Sequence, residues 1–348
     1  MSVNDTHDFF IQWHITERCN LRCRHCYQQE RKPAELPLDS IMDIIEEASG
    51  MIWDWEDAYG IKLSMSYNIS GGEPFLRRDI FEILEEIAWK GADIYILSNG
   101  TVIDKDLAQR LAGIGIKGVQ VSVEGPKAIH EEIRGEGSFL AAVGGVKNLV
   151  DAGVPVTLNA TLSSLNAGHF MDMIGLSKSL GVQRLGFSRL VPYGRGEAML
   201  DKMIGMEEIK NLYGKIFALE AAPLKIITGD PVASQLTSLE NDEDMGNVAA
   251  GGCAAGVSGL TILSDGTITP CRRLNIPMGN VKTDSLREVW ATSPVLEHLR
   301  DRNKYQGKCG ACKRWAHCRG CRAIAYAYSK AKGQENYLAD DPQCFIEK

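Results

Sequence analysis

From Phe9 to Leu190 the chain alternates short β-like runs with helical apolar patterns, and that alternation leaves few folds open. Strand-like runs fall at Phe9–Ile15, Ile61–Ile69, Ala92–Leu97, Gly118–Val123, Val154–Ala160 and Gln183–Leu190. Helical stretches lie near Leu38–Ala48, Ile80–Trp89, Lys105–Leu111, Phe139–Asp151 and Phe170–Leu180. Parallel strands need a crossover long enough to hold a helix, so this order predicts a parallel sheet. Leu38-Asp39-Ser40, followed by Ile41, Ile44 and Ile45, gives a helix start and an apolar stripe for core packing. Six βα units are two short of a closed eight-stranded barrel. The expected fold is therefore α/β, a curved and partly open (β/α)6 barrel. Sites in such folds sit at the C-terminal ends of the strands.

Just past the first strand stand Cys19, Cys23 and Cys26, three thiols in eight residues. Thiolates are soft ligands that select iron–sulfur clusters, zinc or copper(I). A four-iron cluster offers one site per iron, so three cysteines leave one iron open. A zinc loop would need a fourth ligand at finger spacing, and this segment has none; His25 lies between two of the thiols and chelates poorly with both. The other seven cysteines, Cys253, Cys271, Cys309, Cys312, Cys318, Cys321 and Cys344, lie near the far end. Such tight spacings on a chain of 348 residues fit metal ligation in a reducing cytoplasm better than disulfides. The net charge of −7 argues against a nucleic-acid surface. No apolar run is long enough for a membrane span, and Met1–Asp8 is too polar for a signal peptide.

The C-x3-C-x2-C spacing resembles the signature of the radical S-adenosylmethionine (SAM) enzymes. In that family the amino and carboxylate groups of SAM chelate the open iron of a 4Fe-4S cluster, and one electron cleaves SAM to a 5′-deoxyadenosyl radical. Cys19, Cys23 and Cys26 are the implied ligands. His25 takes the place of the usual aromatic residue near the adenine. After the second strand, Ser70-Gly71-Gly72-Glu73-Pro74 resembles the family's GGEP motif, which binds the SAM amino group; paired glycines let a ligand meet the backbone, and Glu73 adds a charged acceptor. The resemblance places Asn99, Ser122, Asn159 and Leu190, each at the end of a later strand, beside SAM. Glu124 stands where aspartate is more usual. Arg134-Gly135-Glu136-Gly137-Ser138-Phe139 resembles a stretch of the subgroup with a SPASM domain, and Arg134 is a candidate partner of the SAM carboxylate or a loop anchor. Tyr193 and Arg195 are candidate substrate contacts.

A helix near Met206–Leu219, a strand near Leu224–Thr228, an acidic linker Glu240–Asp244 and a Gly/Ala-rich stretch, Gly246–Gly259, follow. Ile262–Pro270 reads as a hairpin turning at Asp265-Gly266 and delivering Cys271 beside Cys253. Cys309-x2-Cys312-x5-Cys318-x2-Cys321 allows zinc ribbons, but seven thiols do not divide into two four-coordinate sites. The set resembles the SPASM domain, which carries two auxiliary iron–sulfur clusters. The resemblance implies Cys309, Cys312, Cys318 and Cys344 on an outer cluster and Cys253, Cys271 and Cys321 on an inner one. Two features depart from the pattern: two residues, not three, separate Cys318 from Cys321, and no early cysteine completes the inner set. The expected domains are a barrel over 1–197, a bridging region over 198–250 and a cysteine-rich domain over 251–348.

The resemblance implies radical SAM chemistry, with hydrogen abstraction from an unactivated C–H bond and an auxiliary cluster taking an electron. SPASM enzymes mostly modify peptides or proteins, so the leading expectation is a ribosomal-peptide maturase, with thioether formation one outcome. Only about eight residues precede the first strand, so leader recognition would fall to the barrel or to a separate leader-binding protein. Flavodoxin or ferredoxin is the expected reductant. Gly320-Cys321-Arg322-Ala323 and Asp340-Asp341-Pro342-x-Cys344 also resemble the tails of haem-pathway members, which makes tetrapyrrole side-chain decarboxylation the alternative. A non-catalytic electron-transfer module is the third reading, and Gly71–Pro74 speaks against it.

Overall fold

The computed structural model describes residues 7–29, 35–236 and 248–346. The acidic stretch Glu240–Asp244 lies outside these residues. Strands β1 (His7–His14), β2 (Leu63–Ser70), β3 (Asp93–Ser98), β4 (Gly118–Ser122), β5 (Val156–Leu162) and β6 (Arg184–Arg189) follow one another in parallel. Helices α1 (Leu38–Tyr59), α2 (Ile80–Trp89), α3 (Lys105–Ile114), α4 (Lys127–Arg134), α5 (Ser138–Asp151) and α6 (Phe170–Ser179) connect them. After α7 (Met206–Phe217), β7 (Lys225–Thr228) pairs in parallel with β6. At the opposite side β8 (Gly259–Ile262) pairs in parallel with β1 and leads through β9 (Thr267–Thr269) to β10 (Gly279–Asn280). The ten strands thus run β10-β9-β8-β1-β2-β3-β4-β5-β6-β7, a linear order that does not close. The expected hairpin is present: Gly266, at φ 92°, makes the turn between β8 and β9. Helices α8 (Leu286–Thr292), α9 (Pro294–Arg300), α10 (Gly307–Ala311) and α11 (Arg322–Ala331) follow, with 3-10 turns at Arg302–Lys304 and Trp315–His317 between them.

Two helices differ from expectation. α1 runs eleven residues past Ala48, because Met51 and Ile52 continue its buried stripe until the left-handed Gly60 stops it. α4 was not expected at all, although its eight residues are amphipathic and bury His130 and Ile133. Arg134 consequently ends a helix instead of sitting in a loop.

Alternate strand residues make the core. Ile11, Trp13, Ile69, Ile96, Val121, Leu158 and Leu185 are fully buried against the helices. The opposite parity carries Gln120 and Ser122 on β4, Asn159 and Thr161 on β5 and Ser188 on β6. Parallel strands covered on both faces normally read as unbroken apolar runs. Here the alternation gives the barrel a polar interior face.

Candidate active site

The loop after β1 brings Cys19, Cys23 and Cys26 to the wall of one cavity, along with His25, Gly71, Gly72, Asn99, Ser122, Arg134 and Asn159. The Gly71–Gly72 turn is clamped against this loop: Gly72 N–H donates to the Thr16 carbonyl and Glu73 N–H to that of Arg18, each at 2.8 Å. A Cβ on either glycine would collide with those carbonyls, so the close approach requires glycine. Gly72→Ala should therefore shift the turn and slow SAM cleavage about 10²-fold, the usual cost of a misplacement near 1 Å. The rate of 5′-deoxyadenosine formation measures it, and a parental rate would show that the clamp is unimportant.

N–H groups face the thiols. Leu21 N–H donates to Cys19 Sγ at 3.4 Å, Asn99 Nδ2 lies 3.9 Å from the same sulfur, and Arg134 Nη1 lies 3.7 Å from Cys23 Sγ. Burial pushes both thiols up, so the free chain keeps them protonated until metal displaces the protons. Three thiols on one wall, with donors aimed at two of them, fit an iron–sulfur cluster with one open iron.

Glu73, Pro74 and Leu190, expected beside SAM, do not line this cavity. Glu73 is completely buried and accepts from Ser98 Oγ at 2.9 Å and Asn99 N at 2.8 Å. Burial pushes its carboxyl up to about 7, so it braces the turn and offers no free charged acceptor. Val191, next to Leu190, lines the cavity instead. Arg134 is also committed: its Nε donates to Glu124 at 2.8 Å and its Nη2 to the same oxygen. His25 Nε2 lies 3.3 Å from that oxygen. Burial raises the Glu124 carboxyl, but Arg134 and His25 outweigh it and hold Glu124 well below the usual carboxylate range. Arg195 reaches the cavity and donates to the Cys23 carbonyl, whereas Tyr193 is buried and takes a hydrogen bond from Gln29.

Sequence reasoning missed Gln120, Thr161 and Ser188, which polar alternation within parallel strands could have found. It also missed Arg272 and Arg273, just after Cys271, which line the same cavity. Arg273 Nε is buried without a partner, and neither arginine forms an ion pair with Asp or Glu among the described residues.

Four of the seven late cysteines share one cavity. Cys309, Cys312, Cys318 and Cys344 line a second cavity of about 650 Å³. Gln235 Nε2 donates to Cys318 and Cys344 at 3.5 and 3.4 Å, and Arg322 Nη2 lies 3.7 Å from Cys309 Sγ. Cys321 is not in that cavity. Between it and Cys318, Arg319 and Gly320 both take positive φ, near 60°, and the tight turn sends the two thiols apart. Cys321 packs with Cys271, and its thiol is pushed up to about 12 by burial, with Arg273 opposing and Cys253 adding to the rise.

A parallel sheet with three thiols and a diglycine turn at its strand ends, backed by a second thiol-lined cavity, is the arrangement of a protein that could hold iron–sulfur clusters and a small ligand beside one of them. The Radical SAM superfamily profile matches residues 13–176, and that of SPASM, an iron-sulfur cluster-binding domain, matches residues 253–321. The chain belongs to the radical SAM superfamily, among the enzymes with a C-terminal SPASM domain. Its cofactors are accordingly SAM, a SAM-binding 4Fe-4S cluster and auxiliary iron–sulfur clusters. The chain is 29% identical over 350 residues to the AdoMet-dependent heme synthase of Nitratidesulfovibrio vulgaris, covering 96% of this chain and 91% of that protein. It is 29% identical over 328 residues to mycofactocin maturase MftC of Mycobacterium ulcerans, covering 91% of this chain and 83% of the relative. It superposes on SAM-bound Streptococcus suis SuiB with a TM-score of 0.74 at 19% identity, over 98% of this chain and 78% of that one. This last likeness is one of fold. Among the described residues no helix is long and apolar enough to cross a membrane.

Proposed function

We propose that this enzyme oxidatively decarboxylates a tetrapyrrole side chain. The observation that carries the reading is the cation set Arg195, Arg272 and Arg273 on the cavity wall, none of them ion-paired with Asp or Glu among the described residues. All three are half-buried, where a guanidinium gains from a nearby anion, and SAM brings one carboxylate. A substrate with several propionate groups supplies the others. The heme synthase relative supports the same substrate class. When bound, SAM and its cluster supply a hydrogen-abstracting radical, and the auxiliary clusters take up one electron.

The chain's own residues hold and orient. Arg272 and Arg273 fix the carboxylate to be lost, so the adjacent C–H faces the thiol-lined wall. Gln120, Ser122, Asn159, Thr161 and Ser188 give the polar wall against which SAM and substrate settle. For each propionate, the losses are one hydrogen atom, one electron and one CO2, leaving a vinyl group. Cys19, Cys23 and Cys26 are the proposed ligands of the SAM cluster. Cys309, Cys312, Cys318 and Cys344 are those of the outer cluster, and Cys253, Cys271 and Cys321 those of the inner one.

Anaerobic incubation with SAM, dithionite and iron coproporphyrin should give one CO2 and one 5′-deoxyadenosine per side chain converted. Arg272→Met and Arg273→Met should each raise KM about 10- to 100-fold, because a hydrogen bond to a charged group is worth about 1.5–3 kcal/mol. No decarboxylation under these conditions would sink the reading. A second reading, peptide modification, is supported by the mycofactocin maturase relative, and carbon–sulfur bond formation is one outcome if a substrate thiolate completes a cluster held by only three cysteines. On that reading a Cys-containing precursor peptide is consumed and iron coproporphyrin is not.

A further inference from the structure

We infer that the face around the four-cysteine cavity is a docking surface for an acidic one-electron carrier of the flavodoxin or ferredoxin kind, which accepts electrons there. Between Arg300 and Arg322 eight lysines and arginines stand against one acid, Asp301, on a chain whose net charge is −7. Part of this excess is turned inward. Arg319 and Arg322 are buried, and Arg322 lies against Cys309, where a cation offsets thiolate charge. Arg300, Arg302 and Arg314 donate to the backbone carbonyls of Gly256, Gly310 and Ser234. Lys304, Lys308 and Lys313 are exposed, and none has a carboxylate partner among the described residues. Lys308 and Lys313 flank the cavity that Cys309, Cys312, Cys318 and Cys344 line.

Cys312 and Cys344 are only half-buried, and Ala311 beside Cys312 is exposed, so the thiol-lined cavity comes close to the surface there. Unpaired surface ammonium groups add nothing measurable to the fold. Their fields do add over a patch, and they steer a protein of opposite sign toward it. An anionic carrier fits; a cationic one does not.

The step is a single electron transfer. A reduced cluster held by Cys309, Cys312, Cys318 and Cys344 would supply the electron, and the carrier's flavin or iron would be reduced by one electron as that cluster is oxidised by one. This rests on the four cysteines holding a cluster, which iron content checks, and not on the identity of the substrate.

The test uses the holoenzyme, reduced anaerobically and freed of reductant, then mixed in a stopped-flow instrument with oxidised flavodoxin or with the basic carrier cytochrome c. Lys308→Glu/Lys313→Glu should slow transfer to flavodoxin about tenfold at low salt, with the gap closing as salt screens the rim. The same variant should speed transfer to cytochrome c. Damage to the cluster slows both carriers alike, so equal slowing, or an unchanged flavodoxin rate at parental iron content, overturns the inference. If the double variant loses iron, Lys304→Glu, which lies outside the cavity wall, is measured instead. Smaller changes of the same two signs support the docking face, and their absence overturns it.

Discussion

Replacing Cys19, Cys23 and Cys26 together by Ala should reduce SAM cleavage to background and lower bound iron from about twelve to about eight atoms per chain, as expected for loss of one of three four-iron clusters. All three thiols come from the loop between β1 and α1, and each lines the same cavity. The other seven are carried by segments beyond residue 250, in cavities and packing groups of their own. The loop's own backbone contacts, such as Gly196 N–H to the Cys26 carbonyl at 3.0 Å, survive the change. The variant should therefore keep its fold and its remaining iron. Iron analysis and 5′-deoxyadenosine formation, both anaerobic, read the two halves of the claim. Deoxyadenosine at the parental rate would place the reducing cluster elsewhere. Iron falling to zero would show that the C-terminal clusters depend on the first.

Local pattern carried most of the fold. The six expected strands appear within a few residues of their predicted ends, because period-two burial and Gly-rich turns are written in adjacent residues. What escaped is what depends on distant partners. Parallel pairing of β8 with β1 joins segments some 250 residues apart, and neither strand's sequence names the other. Glu73 illustrates the same limit at the site: its charge suggested a ligand contact, while Ser98 and Asn99, on the next strand's end, claim both its oxygens. Arg272 and Arg273 carried no local signal beyond following Cys271, and only the folded chain brings them to the wall of the thiol-lined cavity.

The buried network around Arg189 was invisible in sequence, and it carries the largest expected stability effect. Arg189 ends β6 and is 1% exposed. It donates to both oxygens of Asp230, at 2.6 and 2.8 Å, to both oxygens of Asp341, at 2.9 and 2.8 Å, and to Gln343 at 2.8 Å. Asp230 also takes the Tyr213 hydroxyl at 2.6 Å, and Asp341 takes the Cys321 N–H at 2.8 Å. One guanidinium thus ties the barrel to the tail and to a proposed inner-cluster ligand. Arg189→Met leaves two buried carboxylates without their cation, which costs about 3–5 kcal/mol when a single partner is removed. Burial raises the Asp341 carboxyl, but Arg189 outweighs it, and the folded value lies below the ordinary 3.8. The stability it adds is present above that unfolded value and disappears as pH falls through the folded one. In the variant the sign reverses: burial now wins, the Asp341 carboxylate takes up a proton more readily, and the deficit should be smaller at about pH 5 than at about pH 7. Urea unfolding of the metal-free protein at the two pH values measures this. Arg189→Met combined with Asp230→Asn and Asp341→Asn should recover part of the loss, since no buried charge is then left unpaired. A loss below about 1 kcal/mol for Arg189→Met at neutral pH, which is the range of exposed pairs, would mean that water reaches the network and that it does not hold the two parts of the chain together.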